Sequence, residues 1–191
     1  MSLADRKEQA RARAKAVRAR LADGGANGRD FQRRWPGMEP SAVIAGYWPF
    51  GTEADVRPLL HRLADTHMIV LPVTPRDRRQ LSFRRWTPDA AMESGPFGTR
   101  HPVGEPGFGA GPLVPDVVLV PLLAWTRTGA RLGYGGGYYD ATLRALRADN
   151  PATRAVGVAW SGQRVDVLPV EDHDERLDYI LTEDGLTALH P

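Results

Sequence analysis

The chain contains no cysteine, which excludes disulfides, thiolate metal sites and a thiol nucleophile. It has no apolar run long enough to cross a membrane. The most apolar stretch, Leu113 to Trp125, is broken by Pro115, Asp116 and Pro121. Behind Ser2-Leu3-Ala4-Asp5-Arg6-Lys7 there is no apolar core, so no secretory signal is expected. Asp5, Glu8 and the near absence of serine argue against an organellar presequence. A cytoplasmic protein without a membrane partner is the expectation.

What is present suits one domain spanning residues 1–191. The length allows a real core without covalent staples, and 42% of residues are hydrophobic. The net charge is only +2, yet it is unevenly spread. Residues 1–34 carry ten basic against four acidic side chains, while the rest carries fifteen against nineteen. A basic arm on a mildly acidic body suggests an anionic partner near the N-terminus. No aromatic residue interleaves with these charges before Phe31, which weakens a reading as a nucleic-acid binder.

Leu3 to Leu21 reads as a helix, rich in Ala, Arg and Lys, with a thin apolar stripe of Leu3, Ala10, Ala14, Val17 and Leu21. Such a helix docks by a narrow face and leaves many charges in water. Gly24 to Pro40 reads as loop with one short helical turn. Strands are expected at Ala42–Trp48, His67–Val73, Leu81–Trp86, Asp116–Pro121, Arg154–Trp160 and Leu177–Thr182. Helices are expected at Glu53–Thr66, with Thr52 as N-cap, and from Tyr138 to about Ala148. Thr87 to Pro115 is mostly loop. This alternation predicts a three-layer α/β fold, a mostly parallel sheet with helices on both faces. Ligands in such folds bind at the carboxyl ends of the strands.

The most informative stretch is Arg131-Leu132-Gly133-Tyr134-Gly135-Gly136-Gly137-Tyr138-Tyr139-Asp140. Four glycines in five positions free the backbone for positive φ and close approach to a ligand. Successive N–H groups in such a turn can cradle a phosphate, and the following helix adds its N-terminal partial charge. Arg131 offers a fork of donors, and Asp140 a carboxylate suited to magnesium. The Lys-Ser/Thr of a P-loop is missing, and the spacing is not that of a dinucleotide fingerprint. A tight strand-to-helix turn without a ligand is the alternative.

Leu119-Val120-Pro121-Leu122-Leu123-Ala124-Trp125, followed by Arg131-Leu132-Gly133 through Gly137-Tyr138-Tyr139-Asp140, resembles the 5-formyltetrahydrofolate cyclo-ligase family. That family reads approximately V-P-G-L-A-F-D, then R-L-G-x-G-x-G-Y-Y-D. The likeness extends to Lys7 and Arg11, to Tyr47-Trp48-Pro49 through Leu59, to Phe83-Arg84-Arg85-Trp86, and to Leu168-Pro169-Val170 through Glu183. It implies a Rossmann-like sheet similar to the NagB/RpiA/CoA-transferase-like fold. It also implies ATP and 5-formyltetrahydrofolate as substrates and Mg2+ as cofactor; a monomer is the expectation for the oligomeric state.

By that resemblance, Lys7 and Arg11 of the N-terminal helix (residues 1–22) reach the ATP. Arg131, Leu132, Gly133, Tyr134, Gly135, Gly136, Gly137, Tyr138 and Tyr139 hold its phosphates. Asp140 and Asp174 carry the metal. Trp48, Glu53 and Tyr138 contact the folate. No side chain is implied as a covalent nucleophile; Lys7 and Arg131 neutralise phosphoryl charge.

Each residue also has a plainer reading. Lys7 and Arg11 lie on one face of a helix and fit a solvated basic surface. Asp174 fits a solvated acidic turn, His173 a surface histidine, Trp48 a core position, and Glu53 a first-turn acid favoured by the helix dipole. Three positions depart from the family. Tyr134 and His101 stand where many relatives carry Arg and Glu, and Thr126 stands where Asp is usual. Arg127 or an arginine of the N-terminal helix is the candidate replacement for the charge missing at Tyr134. These departures keep two further functions open: an ATP-dependent enzyme for another small molecule, and a non-catalytic nucleotide- or RNA-binding relative.

Overall fold

The computed structural model describes residues 2–24, 28–36, 42–104 and 114–190. Helix α1 runs Leu3–Asp23. A capping box starts it: Asp5 N–H donates to Ser2 Oγ at 3.1 Å, and Ser2 N–H donates to Asp5 Oδ2 at 2.8 Å. Its inner face is not the purely apolar stripe the sequence suggests. The buried positions are Ala14 together with Lys7 and Arg18, two charges withdrawn from water. Helix α2, Gly28–Arg34, occupies a segment predicted as loop with one turn. It forms because Phe31 is an anchor, fully buried with its ring 4.8 Å from that of Trp160.

Strand β1, Val43–Ala45, is shorter than predicted. Beyond it the chain crosses the end of the sheet and carries Tyr47 and Trp48 out of the ladder. Helix α3, Arg57–Leu63, begins later than expected. Thr52 is not its cap; Val56 stands at that position without a side-chain bond. Pro58 explains the shift, since it fits the first helical turn but not the interior of a helix begun at Glu53.

The remaining elements are β2 (Met68–Val73), β3 (Ser82–Trp86), β4 (Met92–Ser94), β5 (Arg100–Pro102), β6 (Val117–Pro121), β7 (Ala124–Trp125), β8 (Arg131–Leu132), α4 (Tyr138–Asp149), β9 (Arg154–Val158), β10 (Tyr179–Thr182) and β11 (Gly185–Ala188). Short 3-10 turns lie at Pro96–Gly98 and Ser161–Gln163.

The main sheet has seven strands in the order β11-β10-β9-β6-β1-β2-β3. The five inner strands are parallel; β3 and β11 pair antiparallel at the edges. Along β6, Val117 and Leu119 enter one core with Phe31, Leu59 and Leu60. Val118 and Val120 enter the opposite core with Leu143 and Leu146 of α4. That period-two division is what two covered faces require. The architecture is therefore the predicted three-layer, mostly parallel α/β sheet.

The order also fixes where a ligand belongs. From β1 the chain winds one way to β2, and from β6 the other way to β9 and β10. The loops leaving the carboxyl ends of β1 and β6 diverge and open a crevice at this switch point. A small third core seats α1 beside it, where Ala10 and Ala14 pack on Leu123, Ala124, Ala130 and Leu132 of the β7–β8 hairpin.

Candidate active site

The crevice is a cleft of about 470 Å³. One wall is the β8–α4 connection. Gly135 and Gly137 take positive φ, +96° and +71°, so the backbone folds back in a turn that side-chain-bearing residues disfavour. Gly137 is the N-cap of α4, and the first helical residues, Tyr138 to Asp140, line the cleft. Above this turn lies Arg11, whose Nε donates to Gly133 O at 3.2 Å.

Two ion pairs flank the turn. Arg131 Nη2 donates to Asp140 Oδ1 at 2.6 Å, and its Nη1 donates to the carbonyl of Glu175. Lys7 Nζ is 2.6 Å from Asp174 Oδ2 and 2.7 Å from Glu171 Oε2. Burial pushes the Arg131 pKa down, against the pull of Asp140. Burial also opposes the Lys7 charge, but the hydrogen bonds to Asp174 and Glu171 outweigh it and raise the pKa. The same contacts overcome burial at Asp174 and hold its carboxyl below the usual range.

Each aspartate makes its bonds through a single oxygen. Asp140 Oδ1 accepts from Arg131 and from Glu175 N–H, and Asp174 Oδ2 accepts from Lys7 and from Glu171 N–H. Asp140 Oδ2 and Asp174 Oδ1 make no hydrogen bond among the described residues. Carboxylate oxygens without a hydrogen bond suit a hard divalent ion, and His173 Nε2 lies 4.0 Å from Asp174 Oδ1. Glu171, His173 and Asp174 bring ligand atoms within 4.8 Å of one another, with Asp140 outside that group.

The facing wall comes from the loop after β1. Glu53 Oε2 accepts from Phe50 N–H at 3.0 Å. Burial raises its pKa, and that bond and the Arg18 charge only partly offset the effect. Helix α3 starts beyond it, so Glu53 is not a first-turn acid. The Trp48 ring has two guanidinium groups within reach, Arg57 at 5.5 Å and Arg100 at 5.9 Å. Tyr139 and Tyr47 are pushed well up by burial and stay as neutral phenols, Tyr47 donating to Ala54 O at 2.7 Å.

The residues expected to hold ATP, folate or metal all line this cleft: Lys7, Arg11, Trp48, Glu53, Arg131 through Asp140, and Asp174. Sequence reasoning missed Phe50, Phe97 and Arg100 on the same walls. Phe97 lies in a Gly/Pro-rich stretch whose pattern carries no periodic signal. It sits at φ +58°, with its ring 6.3 Å from that of Tyr138. The two strands β4 and β5 that present it were read as loop.

The three departures also find physical accounts. Thr126 Oγ1 accepts from Ala130 N–H at 3.2 Å and closes the β7–β8 turn. His101 is buried, with Nδ1 3.0 Å from Arg84 Nη1, which Glu93 neutralises at 2.6 Å. Beside Tyr134 stands Arg18 rather than Arg127. His173 is exposed, as expected.

A parallel sheet whose switch-point crevice joins a glycine-rich turn, cationic side chains and an aromatic wall has the architecture of an α/β enzyme. The family model described as 5-formyltetrahydrofolate cyclo-ligase matches residues 5–183, and the chain belongs to that family of ligases. The 5-formyltetrahydrofolate cyclo-ligase of Haemophilus influenzae is 35% identical over 144 residues, which cover 72% of this chain and 74% of that one. The enzyme of the same name from Mycolicibacterium smegmatis is 33% identical over 162 residues, 77% of each chain. Among solved structures, Aquifex aeolicus 5,10-methenyltetrahydrofolate synthetase superposes with a TM-score of 0.76 at 26% identity, covering 97% of this chain and 93% of that one.

Proposed function

We propose that this protein uses ATP to cyclise 5-formyltetrahydrofolate to 5,10-methenyltetrahydrofolate, releasing ADP and phosphate. One observation carries the reading: a single cleft joins the glycine-rich turn and its cations to Trp48 and Glu53 on the facing wall. Family membership and the relatives' names support the same reaction.

The chemistry requires activation, because a formyl oxygen on N5 is a poor leaving group. That oxygen attacks the γ-phosphorus of ATP, the bond to the bridging oxygen breaks, and ADP leaves. N10 then attacks the activated formyl carbon, loses its proton, and phosphate departs. Positioning and charge neutralisation supply the catalysis. Lys7, Arg11 and Arg131 bind phosphate oxygens, with the amides of Leu132 through Tyr139. Glu53 accepts from the pterin's amino edge, and Trp48 and Tyr138 supply apolar wall. Asp140 and Asp174 would hold Mg2+ through their free oxygens, and the ion would supply further neutralisation of phosphate charge. The need for ATP and reduced folate supports a cytoplasmic setting.

The test is direct. Purified protein is mixed with Mg-ATP and 5-formyltetrahydrofolate, and the ultraviolet absorbance of the methenyl product is followed. The expected signal requires both ATP and magnesium. Absence of product, or product formed without ATP, overturns the proposal.

A further inference from the structure

Arg18 is 2% exposed, and no carboxylate lies within ion-pair distance of it among the described residues. A guanidinium taken out of water is costly unless its charge is answered. Its hydrogen-bond partners are all neutral, and the acidic group that feels its charge, Glu53, makes no ion pair with it. Nε donates to Thr52 Oγ1 at 3.1 Å, Nη1 to Leu122 O at 3.1 Å, and Nη2 to the Tyr134 hydroxyl. The third contact leads into the cleft. Tyr134 lines it, is 48% exposed, and stands between Gly133 and Gly135. Lys15 Nζ lies 5.3 Å from its ring centroid.

A phenol has one proton and two acceptor lone pairs. Arg18 engages a lone pair, so the proton is left for another acceptor. No described residue takes it. Donation from a cation polarises the O–H and strengthens it as a donor. An anion at the glycine-rich turn would meet a hydroxyl fixed in place and backed by a buried positive charge.

We propose that Arg18 and Tyr134 act as one phosphate-recognition unit. The Tyr134 hydroxyl donates to a phosphate oxygen of the nucleotide, and Arg18 is the positioning residue that orients and polarises it. This rests on the reading of the cleft as an ATP site. Its ligand is the polyphosphate, not the base, although an exposed aromatic ring beside a nucleotide could also serve as a stacking platform.

Calorimetric titration of wild type and Tyr134→Phe with Mg-ATP, and with inorganic tripolyphosphate as the probe, separates these roles. Loss of the hydroxyl is expected to weaken both ligands about tenfold. Tyr134→Arg is expected to regain most of that loss. In steady state the defect appears in the KM for ATP, not in the KM for folate. Arg18→Lys is expected to weaken ATP in the wild-type background and to add nothing to Tyr134→Phe, since both remove one interaction. Should Arg18→Lys fail to fold, the Tyr134→Phe titrations decide alone. Tripolyphosphate bound equally by wild type and Tyr134→Phe overturns the inference, whether or not ATP is weakened. A wild-type protein that binds neither ligand overturns the ATP reading itself.

Discussion

Lys7 Nζ and Asp174 Oδ2 stand 2.6 Å apart, although 167 residues separate them in the chain. The pair fastens the start of α1 to the loop before β10. Beside the same glycine-rich turn, Arg131 and Asp140 repeat the arrangement at 2.6 Å. On the proposed reading, each pair joins a cation that serves a phosphate to a carboxylate that serves a metal ion. Ligand entry then exchanges partners within a preset array and exposes no lone buried charge.

The latch has a defined pH range. Asp174 has a lowered pKa, so its contribution is complete above the ordinary carboxylate value and is lost as pH falls through the folded value. Lys7 has a raised pKa, so its contribution is complete below the ordinary lysine value and is lost as pH rises through the folded one. Lys7→Met is expected to destabilise the protein by roughly 1–2 kcal/mol across neutral pH. The difference should vanish in acid, once Asp174 is protonated. Urea titrations of both proteins at a series of pH values check this; a difference that persists in acid assigns the loss to packing.

Asp140→Asn removes the ion pair with Arg131 and one free carboxylate oxygen while preserving shape. Turnover is expected to fall at least a hundredfold, a typical loss for a charge acting on a phosphoryl group. Circular dichroism should be unchanged. Activity within a few-fold of wild type would end the metal role of Asp140.

Much of this was legible in the sequence. The glycine spacing before Tyr138 marked one wall of the cleft, where Gly135 and Gly137 take positive φ. The β-branched run at Val117–Val120 marked a central strand, because both of its faces are buried. The extent of α3 was misread because Thr52 and Glu53 imitate a cap and first turn, while the effect of Pro58 is felt several residues upstream. Helix α2 was hidden because a single aromatic anchor, Phe31, outweighs poor local propensity. The Phe97 turn follows no period, and long-range contacts determine its place. The burial of Lys7 and Arg18 was not readable from a basic helix, since their partners lie more than thirty residues away.

Glu53 yields a prediction in which stability and binding part ways. Burial raises its pKa, more than Phe50 N–H and Arg18 lower it. The protonated form is the one the fold favours, so that contribution is complete below the ordinary carboxylate pKa and is lost as pH rises through the folded value. Glu53→Gln is therefore expected to melt no lower than wild type at neutral pH. A pterin amino edge would lose a charged acceptor, so the KM for folate should rise between tenfold and a hundredfold. A lower melting temperature with an unchanged folate KM would place Glu53 outside the binding site.

Two glycines separate the work of the core from the work of the cleft. Gly157 lies on β9 between β6 and β10, and a Cβ there would come within 2.6 Å of Leu177 Cδ1, 2.8 Å of Ile180 Cδ1 and 2.9 Å of Leu122 Cδ2. All three are side-chain ends in one buried cluster, which must repack to admit the methyl group. Gly157→Ala is expected to cost about 1–3 kcal/mol of stability. A Cβ on Gly133 meets nothing within 4 Å, and this glycine faces the cleft. Gly133→Ala should leave the melting temperature unchanged or slightly higher, since alanine restricts the unfolded chain. The added methyl group would stand where a phosphate must approach the backbone, so the KM for ATP should rise at least tenfold. Scanning calorimetry and ATP titration of both variants check the contrast. An ATP KM unchanged in Gly133→Ala would mean that the nucleotide does not lie against this turn.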